Sequence, residues 1–284
     1  MKYIDVPKLI REKSRAEAEA LFSSRTKTAY LGDSRSICII LGKYKMFVDT
    51  SDIGFSPHMM LDGYWEYWLT KFISENVSNE QHVIDIGANL GYYSILLSEI
   101  VGPLGKVYSF EPNPAIFEML KSTMVLNGFA TRSELWNCAL TGGPGDRETM
   151  LFIPSNDPKN ATIVPEGYVD PRGRTVRVKL LNINDLKLKR ADFIKIDVEG
   201  SEKSILESLR PLKEELQPKI VVEVNFKRNY GYDEIVDLVG YGNELLHIDF
   251  NAEVVPLTRK MVAEQRQGED WLVFWPGKDP WPGR

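Results

Sequence analysis

Residues 82–128 read HVIDIGANLGYYSILLSEIVGPLGKVYSFEPNPAIFEMLKSTMVLNG. A short apolar run, His82 to Ile86, ends in a turn that contains glycine. GYYSILLSEIV then has the length and composition of a helix, and KVYSFEP is a second short strand. PAIFEMLKSTMVLNG is a second helix, with Gly128 just past its end. Strands of near-continuous apolar character that alternate with helices belong to a parallel sheet covered on both faces. Right-handed crossovers make such an arrangement doubly wound.

Downstream the alternation continues. SELWNCAL, TVRVKLLNINDL, ADFIKIDVEG and PKIVVEVN read as strands, and SEKSILESLRPL and residues 231–240 as helices. ELLHIDF and DWLVFWP follow each other without an obvious helix, so an antiparallel hairpin is expected at one edge of the sheet. Upstream the pattern differs. Residues 6–22 carry a loose apolar stripe (Val6, Leu9, Ile10, Ala18, Leu21, Phe22), broken at Lys13 and Ser14, and predict one charged amphipathic helix. Residues 28–50 are β-rich runs separated by DSR and GK, which predicts strands joined by tight turns. The segment after them, to about Gly63, reads as a loop, and Trp65 to Ile73 as a helix. The expected partition is therefore an appendage of one helix and a small β-sheet over 1–50, and a main domain over 51–284. Within that domain, 141–176 is a polar insertion or lid.

The chain has 284 residues, 43% hydrophobic and 26% charged, with a net charge of −5. Enough apolar side chain is present to offset chain entropy, which excludes disorder along its whole length. A polyanion binder usually carries a basic excess, so nucleic acid is not the expected partner. Two cysteines, Cys38 and Cys138, supply neither a zinc cluster nor a disulfide framework and fit a reducing compartment. No apolar stretch approaches the ~18–20 residues needed to span a bilayer. The first residues lack the apolar core of a secretory signal, so a cytoplasmic location is expected.

In an open α/β sheet, ligands bind beyond the carboxyl ends of the strands. Asp85-Ile86-Gly87-Ala88-Asn89-Leu90-Gly91 ends the first strand. Gly87 and Gly91 allow tight turning and close backbone approach, and Asn89 tolerates the left-handed conformation. A dinucleotide fingerprint would want glycine at 89 and 92, where Asn and Tyr stand, so the turn is not built for a pyrophosphate. Glu111 ends the second strand, where an acid can accept hydrogen bonds from both ribose hydroxyls of an adenosine. Asn137 and Ala139 end the third, Asp197 and Glu199 the fourth, and Glu223 lies in the fifth.

VIDIGANLGYYS, SFEPNP and ADFIKIDVEGSE, in that order and spacing, resemble the FkbM family of S-adenosylmethionine-dependent methyltransferases. The resemblance runs from about Asp52 to Leu209. It implies the class I methyltransferase fold, Rossmann-like and mostly parallel, with S-adenosyl-L-methionine as cofactor. It implies that Asp85, Gly87, Asn89 and Gly91 hold the methionine and ribose parts. Glu111 would take the ribose hydroxyls, and Asn137 and Ala139 would border the adenine. Asp197 would stand where methyl group and acceptor meet. Glu199 and His58 are further catalytic candidates, and no residue is assigned to a metal.

O-methylation of a sugar, glycan or secondary-metabolite hydroxyl is the expected reaction, with a small-molecule or glycan acceptor and a possible homodimer. N-methylation on the same fold, a nucleotide-dependent oxidoreductase and a non-catalytic cofactor-binding protein are the alternatives. Plainer roles stand beside these. Asp197 and Glu199 would also suit the cap of the following helix. Glu223 would serve as a strand residue, a substrate hydrogen-bond acceptor or, with Asp197, a cation ligand. His58 would be an ordinary loop residue, His82 and His247 structural strand residues, and Tyr64, Trp65, Tyr67 and Trp68 helix packing or an acceptor wall.

Overall fold

The computed structural model describes residues 4–143, 147–228, 230–264 and 270–278. Residues 144–146 of the expected insertion, Asn229 and 265–269, and 1–3 and 279–284 at the ends of the expected domains, lie outside the described residues.

The N-terminal layer comprises α1 (Val6–Glu12), α2 (Arg15–Arg25), β1 (Thr28–Gly32), β2 (Arg35–Ile40), β3 (Tyr44–Asp49), α3 (Ser56–Leu61) and α4 (Tyr67–Asn76). The core alternation follows with β4 (His82–Ile86), α5 (Tyr92–Val101), β5 (Lys106–Phe110), α6 (Pro114–Leu126) and β6 (Ser133–Trp136). Next come β7 (Ala139–Leu140), β8 (Arg147–Pro154), β9 (Thr162–Val164), β10 (Gly173–Leu181), β11 (Phe193–Ile196), α7 (Glu202–Ser208), α8 (Arg210–Leu216) and β12 (Lys219–Val224). The chain closes with α9 (Tyr232–Val239), β13 (Leu245–Ile248), β14 (Val254–Leu257), α10 (Arg259–Ala263) and β15 (Trp271–Trp275).

The main sheet has the order β14-β13-β15-β12-β11-β4-β5-β6. β12, β11, β4, β5 and β6 are parallel neighbours. β15 runs against both β12 and β13, and β14 runs against β13. This is the class I methyltransferase arrangement, α/β and mostly parallel, with an antiparallel hairpin at one edge. Two details of that edge differ from the sequence reading. β14 was not anticipated, and it forms the outer strand. β15 inserts between β12 and β13, so the last strand in the chain lies inside the sheet. Local pattern carries no information on such an insertion, because Leu272, Val273 and Phe274 are as apolar as any central strand and are buried like one.

The expected insertion is not a structureless loop. β8 and β10 pair over eight residues, and with β7 and β9 they form a second sheet of order β7-β10-β8-β9. Leu151, Ile153 and Val178 make a small core of their own.

The N-terminal residues also differ from the expected appendage. The single helix expected over 6–22 is two helices. Lys13 is extended, and Ser14 caps α2 in a reciprocal box with Glu17, which restarts the helix in a new direction. α3 occupies a segment read as loop. These elements share one apolar core with the main sheet: Val6, Ile10 and Phe22 are fully buried in the same cluster as Val83, Leu96 and Phe193. The reason lies in α5. Apolar side chains cover nearly all its faces, so it requires cover on the side away from the sheet as well. α1 and α4 pack there, and Lys43 pairs with Glu99 of α5 at 2.6 Å. β3 docks on α6, where the Phe47 N–H donates to Thr123 Oγ1 at 3.1 Å and Asn127 bonds the backbone of Lys45.

A shared core predicts that the N-terminal layer unfolds together with the main sheet. Phe22→Ala is expected to cost about 3–5 kcal/mol in a single unfolding transition, as for a buried Phe of any core. Circular dichroism and tryptophan emission followed through a urea titration would check this. A separate early transition in the variant would mean that the layer unfolds by itself.

Candidate active site

The strand order reverses at β4, which has β5 on one side and β11 on the other. The turn after β4 holds three left-handed residues: Gly87 (φ 75°), Asn89 (φ 50°) and Gly91 (φ 100°). A Cβ on Gly87 would lie 1.8 Å from the carbonyl oxygen of Asp197. Glycine is thus what lets the ends of β4 and β11 touch. The N–H groups of Gly87 and Ala88 both donate to the Phe110 carbonyl at 3.0 Å, which ties this turn to the end of β5.

Glu111 completes that tie. Its Oε2 accepts from the Asn89 N–H at 2.9 Å and its Oε1 from the Asn113 N–H at 2.8 Å. The side chain lines a cavity at the switch point. Burial pushes its carboxyl up to about 7, against the pull of the two N–H groups. Asn137 donates to the carbonyls of Glu111 and Pro112 at 2.9 and 3.1 Å and so fixes the backbone beneath that carboxylate. Ala139, with Leu151, Ile163 and Ile205, lines a narrow apolar slot that opens beside Gly87 and Pro112.

Asp85 does not reach the cavity. It is fully buried and accepts from Ser94 Oγ at 2.6 Å, on the face of β4 that packs against α5. Its other oxygen lies 3.6 Å from the Lys195 ammonium, which is itself 2% exposed. Lys195 also donates to Asp197 at 3.1 Å and sits over the Tyr93 ring, 4.9 Å from its centroid. Burial works against the ammonium, but Asp197 and Asp85 together hold its pKa above the ordinary lysine value. Asp197 lines the cavity with its charge already matched.

Two further carboxylates face Asp197. Glu66 accepts from the Tyr93 hydroxyl at 2.8 Å, and burial together with Asp197 pushes it up to about 7. Its backbone is left-handed, at φ 35° and ψ 70°, an unusual conformation for a residue with a side chain. The Glu223 carboxylate makes no hydrogen bond among the described residues, although its backbone lies within the β12–β15 ladder. Burial, then Asp197 and Glu66, raises its pKa well above the usual range. Glu66 and Glu223 also line a second cavity, so they form the wall between the two.

The remaining candidates lie elsewhere. Glu199 lines the first cavity, but its carboxylate is held by Arg228 at 2.5 Å, and the same Arg228 binds Glu202 at 2.6 Å. His58 is exposed, bonds Asp62 at 2.9 Å, and lies outside the cavity lining. Among the described residues no three acidic, His or Cys side chains are arranged to hold a metal ion.

Sequence reasoning missed Glu66, Tyr93, Lys159 and Lys195. Lys195 had a readable signal, because a lone cation in the apolar run FIKI must be paired when that strand is central. Lys159, Asn160 and Ala161 reach the cavity from the insertion. Three bonds hold them there: Ile53 N–H to the Asn156 carbonyl, Asn113 Nδ2 to the Pro158 carbonyl, and Thr162 Oγ1 to the Glu199 carbonyl.

Removing Lys195 leaves Asp85 buried and unpaired. Lys195→Met is expected to cost about 3–5 kcal/mol, and adding Asp85→Asn to recover much of it. Denaturant unfolding of the two single variants and the double variant measures this. Additive losses would show that the two side chains do not act as a pair.

The sequence model of the methyltransferase FkbM domain matches residues 85–247. Methyltransferase sdnD from Sordaria araneosa is 28% identical over 178 residues, which is 52% of this chain and 68% of that protein. Methyltransferase 1 from Beauveria bassiana is 24% identical over 166 residues, 51% of this chain and 65% of that protein. The alignments thus span about two thirds of these curated relatives. The solved structure of methyltransferase FkbM from Methylobacillus flagellatus KT aligns with 77% of this chain and 52% of its own, at 16% identity and a TM-score of 0.42. Because the family match runs over more than half of the chain, from Asp85 through Glu111 and Asp197 to the edge of the sheet, this protein belongs to the FkbM family of S-adenosylmethionine-dependent methyltransferases.

Proposed function

We propose that the protein methylates a hydroxyl of a sugar, glycan or secondary metabolite, with S-adenosylmethionine bound at the switch point. The observation that carries this reading is the shared wall: Glu66 and Glu223 border both cavities, with Asp197 beside them.

The donors and acceptors that line the first cavity support the cofactor assignment. Each Glu111 oxygen keeps a lone pair free for a ribose hydroxyl after accepting from Asn89 or Asn113. The slot at Ala139 suits a flat apolar ring. Lys159 suits the amino-acid carboxylate: it is partly exposed and its own partners, Asn160 at 3.0 Å and Asp157 at 3.8 Å, are partly exposed as well, whereas Lys195 is buried between Asp85 and Asp197. The cofactor supplies a methyl group already activated on a sulfonium. What is left to the chain is alignment of the acceptor oxygen at ~3 Å, which accounts for much of such a rate, and removal of its proton. Asp197, charge-matched by Lys195, is suited to fixing the acceptor hydroxyl in line. Glu66 is suited to taking the proton, because burial and the nearby Asp197 raise its carboxyl to about 7.

A labelled-methyl transfer screen over glycosides and hydroxylated metabolites tests the reaction; label found only on amines would refute hydroxyl methylation. Glu111→Gln tests the cofactor assignment. Both oxygens accept from backbone N–H groups, so the new amide must set a donor against a donor. With the ribose bonds weakened as well, affinity for S-adenosylmethionine should fall by about 10–100-fold by calorimetry. Unchanged affinity would remove Glu111 from the site.

The proton assignment has a signed pH dependence. Glu66 must be ionised to accept a proton, so at saturating cofactor kcat should rise with pH through about 7 and then level off. Glu66→Gln should lower kcat by ~10²–10⁴ and abolish that rise. The same profile in the variant would assign the proton to another group.

A further inference from the structure

Two tyrosines open α5 directly behind the turn at 87–91, and both reach across to α4. They do different things there. The Tyr92 hydroxyl lies 3.0 Å from Thr70 Oγ1, which donates to the Trp65 carbonyl at 2.8 Å, so it braces the backbone just before Glu66. The Tyr93 hydroxyl donates to Glu66 Oε2 at 2.8 Å. Among the described residues that is the only hydrogen bond to the carboxylate, which leaves Oε1 open on a side chain that lines both cavities.

Tyr93 has little freedom of its own. Its ring is buried, lies 4.9 Å from the Lys195 ammonium and meets the Tyr92 ring edge-on at 5.1 Å. Lys195 is in turn fixed between Asp85 and Asp197. The phenol thus carries the rigidity of a buried ion pair out to Glu66, which stands on left-handed backbone at the head of α4. Glu66 is surrounded by charged and titratable groups: Asp197 and Lys195 from β11 and its end, Lys159 from the insertion, Glu223 from β12, and Tyr92 and Tyr93 from α5. Of these, Tyr93 alone is in hydrogen-bond contact with the carboxylate. It stays a donor, because burial and the adjacent Glu66 keep its phenol protonated.

We propose that Tyr93 is the positioning residue for Glu66: it fixes Oε2, favours the ionised carboxylate and leaves Oε1 free for the acceptor. The catalytic meaning of this rests on the reading above, in which Glu66 takes the acceptor's proton. A hydrogen bond donated to a carboxylate stabilises its charged form. A bond that also fixes its direction limits how far Oε1 swings from a hydroxyl it has to meet at hydrogen-bond distance.

Tyr93→Phe keeps the ring against Lys195 and deletes the donor. Tyr92→Phe deletes a buried tyrosine hydroxyl that braces backbone only, and serves as its control. The protonation of Glu66 is read without turnover, from the infrared band of protonated carboxyl groups, as the difference between each protein and the same protein with Glu66→Gln. Glu223→Gln is present throughout, to remove the carboxylate that titrates beside it. Tyr93→Phe should raise the midpoint by about 0.5–1 in pH, which is an about 3–10-fold tighter hold on the proton, and Tyr92→Phe should leave it within about 0.2. Fluorotyrosine placed at position 93, a stronger donor of nearly the same shape, should lower it. An unchanged midpoint in Tyr93→Phe, or equal shifts in the two variants, overturns the positioning role. On an acceptor identified by the labelled-methyl screen, the rise of kcat with pH in Tyr93→Phe should move up by the same amount, to a plateau about tenfold lower. If the infrared midpoint moves and the kcat profile does not follow it, the hold of Tyr93 on Glu66 stands and the reading in which Glu66 takes the proton fails.

Discussion

A lysine ammonium buried beneath the strand ends is the constraint around which this site is built. Lys195 stands between Asp85 and Asp197, with the Tyr93 ring against it. Below it, Asp85 is sealed from solvent and cannot keep its charge without a cation nearby. Above it, Asp197 faces the cavity with its charge balanced. One cation thus supports a sealed carboxylate and one that lines the cavity, and joins the ends of β4 and β11, where Gly87 allows backbone contact. The excess of acid at the switch point is tolerable because this charge is fixed and dry.

The same bookkeeping separates two kinds of carboxylate. Glu199 is locked to Arg228, and Asp197 is paired with Lys195, so both have fixed cationic partners. Glu66 and Glu223 have no such cation in contact, and their raised pKa values follow from burial and mutual proximity. A carboxylate of the first kind orients. One of the second kind holds a proton near neutral pH and can exchange it.

The sequence was legible wherever a residue's role follows from its own backbone or strand. The apolar strands, the left-handed turn at 87–91 and the acid closing β5 are local features, and each is found where its pattern placed it. Asp85 shows the limit of that reading. It lies in the most recognisable motif of the chain, but its side chain is sealed beneath Lys195 and Ser94 and does not line the cavity. The position of β15 inside the sheet, the burial of α1 against α5 and the second sheet formed by the insertion depend on contacts distant in sequence. No local window contains them.

Glu66 belongs to that class for a reason that bears on function. It comes from the N-terminal layer, at the start of α4, and reaches the cavity through a left-handed backbone that a β-carbon disfavours by roughly 1–2 kcal/mol. Such a conformation persists only where the surroundings hold it. Here they do: Tyr67 and Leu69 just after it are buried, Thr70 bonds the Trp65 carbonyl and the Tyr92 hydroxyl, and Tyr93 bonds the Glu66 carboxylate itself. Tyr92 and Tyr93 begin α5, directly after the left-handed turn at 87–91. The first 80 residues are therefore not an ornament on a complete domain. They cover α5, and by covering it they deliver to the junction of the two cavities a carboxylate that the parallel sheet does not supply.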